Sequence, residues 1–202
     1  MIQLFNDIEQ GSPEWFAARS GIPTASMFSA VLSKGRSGAD SKTRKTYMLK
    51  LLGERLTGEL QENISTPHME RGKIMEAEAR TLYEFQSDNN VEDIGFIRNG
   101  DKGSSPDGVI GKDGCIEIKT KLPHLQLAVL LKDEMPTEHK AQVQGHLLVG
   151  EYEWCDFISY WPKLKPLIKR VYRDEEYIKT LSEQIDIFNE EMAQLEQTIK
   201  SL

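Results

Sequence analysis

The stretch SSPDGVIGKDGCIEIKT, residues Ser104–Thr120, contains a proline-based turn and two short apolar runs that flank a glycine-bounded turn. Short apolar runs between Gly and Asp residues are typical of strands joined by tight turns. Because side chains alternate between the two faces of a strand, Glu117 and Lys119 share one face. A turn over Gly111–Gly114 brings Asp107 opposite Glu117, within one residue of register that a bulge can absorb. The sequence therefore predicts a hairpin on which two carboxylates and one ammonium group converge.

Two interpretations of this charged face are open. On a solvated surface, Asp107, Glu117 and Lys119 form a weak network that contributes at most about 1 kcal/mol per ion pair, and such short motifs often arise by chance. In a metal site, Asp107 and Glu117 supply the one or two carboxylates that typically hold Mg²⁺ at sites of phosphoryl transfer. The backbone carbonyl of Ile118 could add another oxygen. Lys119 would then orient a water molecule or stabilise charge on a phosphate.

A third carboxylate lies on the helix predicted over residues 67–86. At 100° per residue, Glu76 falls inside the inward arc between Met69 and Tyr83. A lone carboxylate on an inward face is costly unless it is paired or binds a metal. Glu76 is therefore predicted either to form a salt bridge with Lys119 or an arginine, or to join the metal site.

The segment AQVQGHLLVG, residues 141–150, predicts a largely apolar helix with two amides, Gln142 and Gln144. Residues two apart on a helix do not share a face, so only one of the two points inward. Gln142 is in line with His146, and Gln144 lies nearer Leu148. The sequence leaves open which amide approaches the hairpin.

The chain is predicted to fold as one α/β domain over residues 1–202. Residues 1–90 are expected to be mostly helical, residues 91–173 to form the sheet core, and residues 174–202 to form one long C-terminal helix. Strands are predicted at about 91–98, 104–110, 114–120, 153–161 and 166–173. Helices are predicted at about 12–21, 24–32, 41–59, 67–86 and 136–150. The apolar seam of the C-terminal helix packs either on the chain's own core or on a neighbour.

Bulk composition excludes several classes of protein. The 32 acidic residues outnumber the 25 Lys and Arg residues, so a polyanion would have to meet a local basic patch. Two distant cysteines in apolar runs suit buried thiols and are too few for a zinc or iron–sulfur centre. The stretch MIQLFNDIEQGSPEW lacks the basic and apolar regions typical of a signal peptide, and no run approaches about 18 apolar residues. We therefore expect a soluble cytoplasmic protein with no membrane segment.

Five motifs, taken in order along the chain, resemble those of the phage lambda exonuclease family of viral recombination nucleases, within the PD-(D/E)XK superfamily. They are EWFAARSGIPTAS, RGKIMEAEAR, SPDG with EIKT, AQVQ, and RVYRDEEY. The resemblance runs through most of the chain. It implies a restriction-endonuclease-like core, in which a mixed central β-sheet is flanked by helices.

The resemblance also implies roles for the charged residues. Asp107 and Glu117 would bind Mg²⁺, and Lys119 would be the catalytic lysine. Glu76 would be the acidic residue that lies near the metals, and Gln142 the active-site glutamine. Two Mg²⁺ ions are implied, with Mn²⁺ as a substitute.

Members of this family are 5′→3′ exonucleases that degrade one strand of linear double-stranded DNA to mononucleotides and leave a 3′ overhang. Arg19, Ser26 and Ser105 match the pocket that grips the 5′-phosphate, and Arg36 matches a loop position that contacts DNA. A serine in the first turn of a helix, beside an arginine, also suits an anion on physical grounds.

One departure from the family concerns its second phosphate-pocket arginine, which falls near Leu125 in this sequence. Either His124 or Lys121 substitutes for it, or the pocket is weaker. The resemblance further implies a homotrimeric ring threaded by DNA and a partner that anneals single strands. The alternatives are a restriction-type endonuclease on the same fold and a non-catalytic assembly module that oligomerises through residues 174–202.

Overall fold

Two β-sheets form the framework of the protein. The structure, a computed structural model, describes residues 1–35, 41–59 and 67–202, with the side chains of residues 67–70 excepted. One sheet is antiparallel, with strand order β1-β2-β3. Its strands are β1 (Ile2–Phe5), β2 (Phe96–Asn99) and β3 (Lys102–Ser104).

The other sheet has strand order β4-β5-β6-β7. Its strands are β4 (Gly108–Ile110), β5 (Gly114–Thr120), β6 (Trp154–Tyr160) and β7 (Leu167–Tyr172). Strands β5 and β6 are parallel, and the two outer pairings are antiparallel. The predicted mixed sheet flanked by helices is therefore confirmed.

Seven α-helices surround the sheets in the described part of the chain. They are α1 (Pro13–Arg19), α2 (Phe28–Val31), α3 (Lys42–Thr57), α4 (Pro67–Ser87), α5 (Pro123–Lys132), α6 (Lys140–Gly150) and α7 (Glu175–Lys200). Short 3₁₀ turns at Ala25–Met27 and Thr137–His139 precede α2 and α6. The helix starts follow capping chemistry, since the side chains of Ser12, Ser41 and Asp174 each accept a backbone N–H three residues on.

Strand β5 is covered on both faces. Ile116 and Ile118 pack against the inner side of α4, where Tyr83 is 1% exposed. On the opposite face, Cys115 packs in a larger core with α6 and α7. Because both faces are covered, the polar side chain of Glu117, between those isoleucines in sequence, is buried as well.

The C-terminal helix packs on the chain's own core. Its buried seam consists of Ile178, Leu181, Ile185, Phe188 and Met192. These side chains belong to the same cluster as buried residues of α2, α3 and α6. The intramolecular interpretation of the seam is therefore confirmed for these five positions.

Several predicted elements differ from the structure. The strand predicted over 104–110 is interrupted, because β3 ends at Ser104 and β4 begins at Gly108. Pro106 lies in the gap and has no N–H to offer a ladder. The strand predicted over 91–98 is shortened to β2. The helix predicted over 24–32 is split into a 3₁₀ turn and the four-residue α2, and that predicted over 136–150 starts as a 3₁₀ turn.

Candidate active site

The hairpin places Asp107 directly opposite Glu117. Gly108 pairs with Ile116, and the backbone N–H of Asp107 donates to the carbonyl of Ile116 at 3.0 Å. No bulge is needed to bring the two acids together. The Asp107 carboxylate also accepts the backbone N–H of Ile118 at 2.6 Å. The turn that carries Asp107 is thereby tied to the centre of β5.

Glu117 is the most fully bonded acid of the site. Its side chain is 1% exposed. Its Oε1 accepts from the amide of Gln142 at 2.7 Å and lies 2.5 Å from the ammonium of Lys119. Its Oε2 lies 2.8 Å from Nε2 of His146. Gln142 is therefore the amide that faces the hairpin, whereas Gln144 bonds to backbone groups at the start of the C-terminal segment.

Electrostatic coupling within the group is strong. Burial, followed by repulsion from Glu117 and Glu76, raises the pKa of Asp107 well above its ordinary value. Burial also opposes ionisation of Glu117, but Lys119 and His146 outweigh it and hold the pKa of Glu117 below its ordinary value. The pKa of Lys119 is raised, because its carboxylate neighbours outweigh the effect of its burial. The site therefore concentrates negative charge that one ammonium group only partly compensates.

Glu76 approaches the same carboxylates from α4. It lines a neighbouring cavity of about 480 Å³ together with Asp107, Gln10, Lys73 and Arg80. Burial and the charge of the hairpin glutamate raise the pKa of Glu76. Its inward position agrees with the helical arc predicted from the sequence. The predicted salt-bridge alternative with the hairpin lysine is not what the structure shows, since that lysine pairs with the hairpin glutamate.

The predicted phosphate-binding residues share a second cavity with the hairpin acids. Arg19, Ser26 and Ser105 line a cavity of about 240 Å³ that also contains Asp107, Glu117, Lys119 and Gln142. Seven of the residues that the sequence singled out therefore meet in one cavity. Ile118 lies beside it on β5, buried, with its N–H engaged by the aspartate. Arg36 lies outside the described residues.

Four lining residues were missed by the sequence analysis: Gln10, Trp15, Thr24 and His146. The indole N–H of Trp15 donates to Ser105 Oγ at 2.9 Å, and the Trp15 ring lies 4.0 Å beneath the guanidinium of Arg19. Trp15 precedes Arg19 by four residues, and His146 follows Gln142 by four, so helical spacing was the available signal.

Gln10 supports the turn that precedes the hairpin. Its amide nitrogen donates to the carbonyl of Pro106 at 2.9 Å and to that of Ile94 at 3.1 Å. These bonds hold the residue next to Asp107 against the first sheet. No local sequence pattern predicts this role of Gln10, because the residues that its amide contacts are more than eighty positions away.

Neither Lys121 nor His124, the two residues expected to replace the family's second phosphate-pocket arginine, lines the cavity that contains Arg19 and the hairpin acids. Lys121 instead bonds to Glu138 and His139 at 3.1 and 2.9 Å, and His124 is exposed on α5. A further cavity of about 240 Å³ adjoins the first and shares Arg19, Thr24 and Ser26 with it. That cavity is also lined by Lys50. Lys121 and His124 are therefore not placed in this cavity, and the alternative expectation of a weaker pocket stays a prediction.

The carboxylates of Asp107 and Glu117 are candidate ligands for a divalent cation. In the described residues, no group of three or more His, Cys, Asp and Glu side chains is arranged to hold a metal ion. Mg²⁺ at phosphoryl-transfer sites typically takes only one or two carboxylates and completes its shell with water and phosphate oxygens. Asp107 and Glu117 meet that requirement, and their mutual repulsion is what a divalent cation would relieve. The residues present fit such a cation.

A mixed sheet whose antiparallel hairpin joins two acids and a lysine, backed by a helical glutamine, is the arrangement of the PD-(D/E)XK nucleases. Residues 14–153 match the family described as the YqaJ-like viral recombinase domain. The chain belongs to this lambda-exonuclease-like family of nucleases that act in recombination.

Solved structures agree with this assignment. The structure of LHK-Exo in complex with dAMP is 30% identical, with a TM-score of 0.85 over 94% of this chain and 97% of that one. A second crystal structure of LHK-Exo, an alkaline exonuclease from Laribacter hongkongensis, is 29% identical, with a TM-score of 0.84 over 94% of this chain and 97% of that one. A phage-related exonuclease from Haemophilus somnus 129PT, 14% identical with a TM-score of 0.68, covers 88% of this chain and 96% of that one and shares the fold. No curated protein sequence matches.

Among the residues that the structure describes, none of the helices combines the length and the apolar character that crossing a bilayer requires.

Proposed function

We propose that the protein is a Mg²⁺-dependent 5′→3′ exonuclease that degrades one strand of linear double-stranded DNA to mononucleotides and leaves a 3′ single-stranded overhang. One observation carries the proposal: a single cavity joins the hairpin acids and lysine to the arginine and serines of the predicted phosphate pocket. A 5′-terminal phosphate held at one end of this cavity would present the adjacent phosphodiester to the other end.

Each residue of the hairpin has a separate task in this proposal. Asp107 and Glu117 would hold the divalent cation, with Mn²⁺ as a substitute, and Glu76 would support a second ion from α4. A bound cation would activate a water molecule and neutralise charge on the scissile phosphate. Lys119 would hold the attacking water and stabilise the developing negative charge. Gln142 would keep the carboxylate of Glu117 oriented through the 2.7 Å bond that it donates.

End recognition is assigned to the residues around Arg19. Its guanidinium stacks on Trp15 and donates to Thr24 at 3.1 Å. A planar guanidinium suits a phosphate because two parallel N–H groups can bind two oxygens. Ser26 and Ser105 would add hydroxyl donors. Arg36, which matches a DNA-contacting position of the family, is proposed to contact the DNA.

The second cation of the phosphate pocket is proposed to be Lys50. Helix α3 places it in the cavity that shares Arg19 and Ser26. Tyr47, one turn earlier, accepts the backbone N–H of Thr24 at 3.1 Å. Its hydroxyl proton is therefore available to donate to a phosphate oxygen. A lysine and a tyrosine from α3 would thus take the place of the missing arginine.

The proposed assembly and the proposed partner are those that the resemblance to the family implies. We propose that the protein is cytoplasmic, that it forms a homotrimeric ring around DNA, and that a single-strand annealing protein takes up the exposed overhang. Helix α5 and its N-cap residue Leu122 offer an apolar contact surface, because Leu122, Leu125, Leu127 and Leu131 are 42, 45, 50 and 88% exposed. The acidic net charge is compatible with DNA binding, since Arg19 and Lys50 line the proposed phosphate pocket and a bound divalent cation would offset the charge of the hairpin acids.

Digestion assays test the proposal. Linear duplex with 5′-phosphate ends and Mg²⁺ should yield mononucleotides and 3′-overhanging strands, and a 5′-hydroxyl end should be digested more slowly. Relaxed circular duplex separates the exonuclease from a restriction-type endonuclease, because only the endonuclease cuts it. No hydrolysis of any duplex with Mg²⁺ or Mn²⁺ would leave a non-catalytic role.

A further inference from the structure

His146 is buried between the two sheets, at 1% exposure. Its Nε2 lies 2.8 Å from Oε2 of Glu117, and its Nδ1 lies 2.6 Å from the hydroxyl of Ser104. Ser104 is fully buried at the end of β3. The imidazole therefore links the three-stranded sheet to the acid at the centre of the hairpin.

The direction of these bonds follows from the acceptor at one end. An ionised carboxylate can only accept, so Nε2 of His146 carries the proton that faces Glu117. In the neutral ring, Nδ1 then has no proton and accepts the hydroxyl of Ser104. Both ring nitrogens are satisfied in this arrangement, and the ring cannot rotate without leaving buried polar atoms unpaired.

One helix face holds both oxygens of the carboxylate. Gln142 and His146 are four residues apart on α6 and therefore lie on the same side. Gln142 donates to Oε1 of Glu117, and His146 donates to Oε2. The helix is itself tightly packed, because a Cβ at Gly145 would lie 2.5 Å from the ring of Phe28. The position of the imidazole is thus fixed by the packing of its backbone.

The side chains that donate to the two carboxylate oxygens of Glu117 differ in how far they can move. Lys119, which pairs with Oε1, is 30% exposed and has a flexible stem, and Gln142 is only partly buried. Lys119 can turn away when another ligand approaches, and Oε1 has a second lone pair beside the one that Gln142 uses. His146 is held on both ring nitrogens and stays on Oε2.

We propose that His146, backed by Ser104, is a positioning residue that fixes the Glu117 carboxylate so that Oε1 faces a divalent cation in the cavity. The inference rests on the proposed function in assigning that cation to Glu117. A histidine or carboxylate partner that orients a metal ligand typically changes metal affinity 10–100-fold, roughly, when it is removed. His146 is neither a metal ligand nor a contact of the substrate in this role.

Calorimetry of Mn²⁺ binding to the full chain without DNA tests the role. His146→Leu should raise the Mn²⁺ dissociation constant by about 10–100-fold, and His146→Gln, which keeps an N–H donor, should recover part of the loss. Ser104→Ala should weaken binding in the same direction by a smaller factor. His139→Leu is the matched control, because His139 bonds to Lys121 and not to the hairpin acids, and it should bind like the wild type.

The result that overturns the proposal is an unchanged dissociation constant in His146→Leu, or a wild-type chain that binds no Mn²⁺. Ring ¹⁵N spectra of the wild type provide a second test that needs no variant of His146. They should show a protonated Nε2 and an unprotonated Nδ1, and the reverse tautomer would also overturn it. Binding that behaves as expected in a chain that digests no DNA would contradict the proposed function and leave this role intact.

Discussion

Replacement of Arg19 by alanine should remove the preference for a 5′-phosphorylated end. The structure shows how much of this side chain is available to a ligand. Of its five N–H groups, the described residues engage one, through Nη2 and the hydroxyl of Thr24 at 3.1 Å. The stacking on Trp15 at 4.0 Å orients the guanidinium plane. A pair of N–H groups is therefore left for two oxygens of one phosphate.

The size of the effect follows from this geometry. A hydrogen bond to a charged group contributes about 1.5–3 kcal/mol, which corresponds to roughly 10–150-fold in rate at about 1.4 kcal/mol per factor of ten. Burial also lowers the pKa of Arg19, which means that its charge lacks full hydration and gains from an anionic ligand. We expect kcat/KM on the phosphorylated duplex to fall by that factor.

The assay compares the same linear duplex with 5′-phosphate and with 5′-hydroxyl ends. Arg19→Ala should slow digestion of the phosphorylated duplex alone, and the two rates should converge. Arg19→Lys should lie between wild type and Arg19→Ala, because an ammonium group keeps the charge but lacks the planar pair of donors. An equal loss on both ends would show that Arg19 acts on the fold or on catalysis, and the end-recognition argument would fail.

Three further outcomes are expected. Lys119→Ala should retain duplex binding in an anisotropy assay while hydrolysis is lost, and a variant that still turns over would show that the lysine is misassigned. Lys50→Ala should lower digestion of 5′-phosphorylated duplex several-fold and leave the 5′-hydroxyl duplex unchanged; equal rates on both would remove Lys50 from the pocket. Burial and repulsion by Lys121, only partly offset by Glu138, lower the pKa of His139 to about 4. As pH falls, the unfolded chain therefore binds the proton on this histidine before the folded chain does. Up to about 3 kcal/mol of the free energy of unfolding should be lost between about pH 6.5 and pH 4. In urea unfolding at a series of pH values, His139→Gln should show a smaller loss over this pH range.

The charged face of the hairpin could be predicted because it depends on local geometry. Alternation along a strand places Glu117 and Lys119 together, and a short turn brings Asp107 back to them. The structure needs no bulge to achieve this. Helical spacing likewise placed Glu76 on the inward face of α4, because the face on which a helical residue lies depends only on its position within that helix.

Elements that depend on distant partners could not be predicted. Strand β1 is four residues long and pairs with β2, more than ninety positions further on. Helix α5 has no side-chain cap, and several of its leucines are exposed, so its apolar pattern is not that of a buried helix face. Such segments take their structure from contacts that the local sequence does not contain.

The same distinction applies within the site. Which of Gln142 and Gln144 faces the hairpin depends on how α6 packs against the sheet, and the spacing of residues along the helix does not contain this information. Ser104 and His146 are 42 positions apart, and only the fold brings their side chains to 2.6 Å. The second cation of the phosphate pocket was expected close in sequence to the hairpin, whereas the structure offers Lys50 from a separate helix.

The most direct test of the central claim is digestion of a linear duplex whose two strands carry different labels, with a 5′-phosphate on one strand only, in the presence of Mg²⁺. The proposal predicts that label is released as mononucleotides from the phosphorylated strand, beginning at its 5′ end, and more slowly from the complementary strand, which has a 5′-hydroxyl end. Release that begins at 3′ ends, internal cuts in a circular duplex, or equal hydrolysis without divalent cations would contradict it.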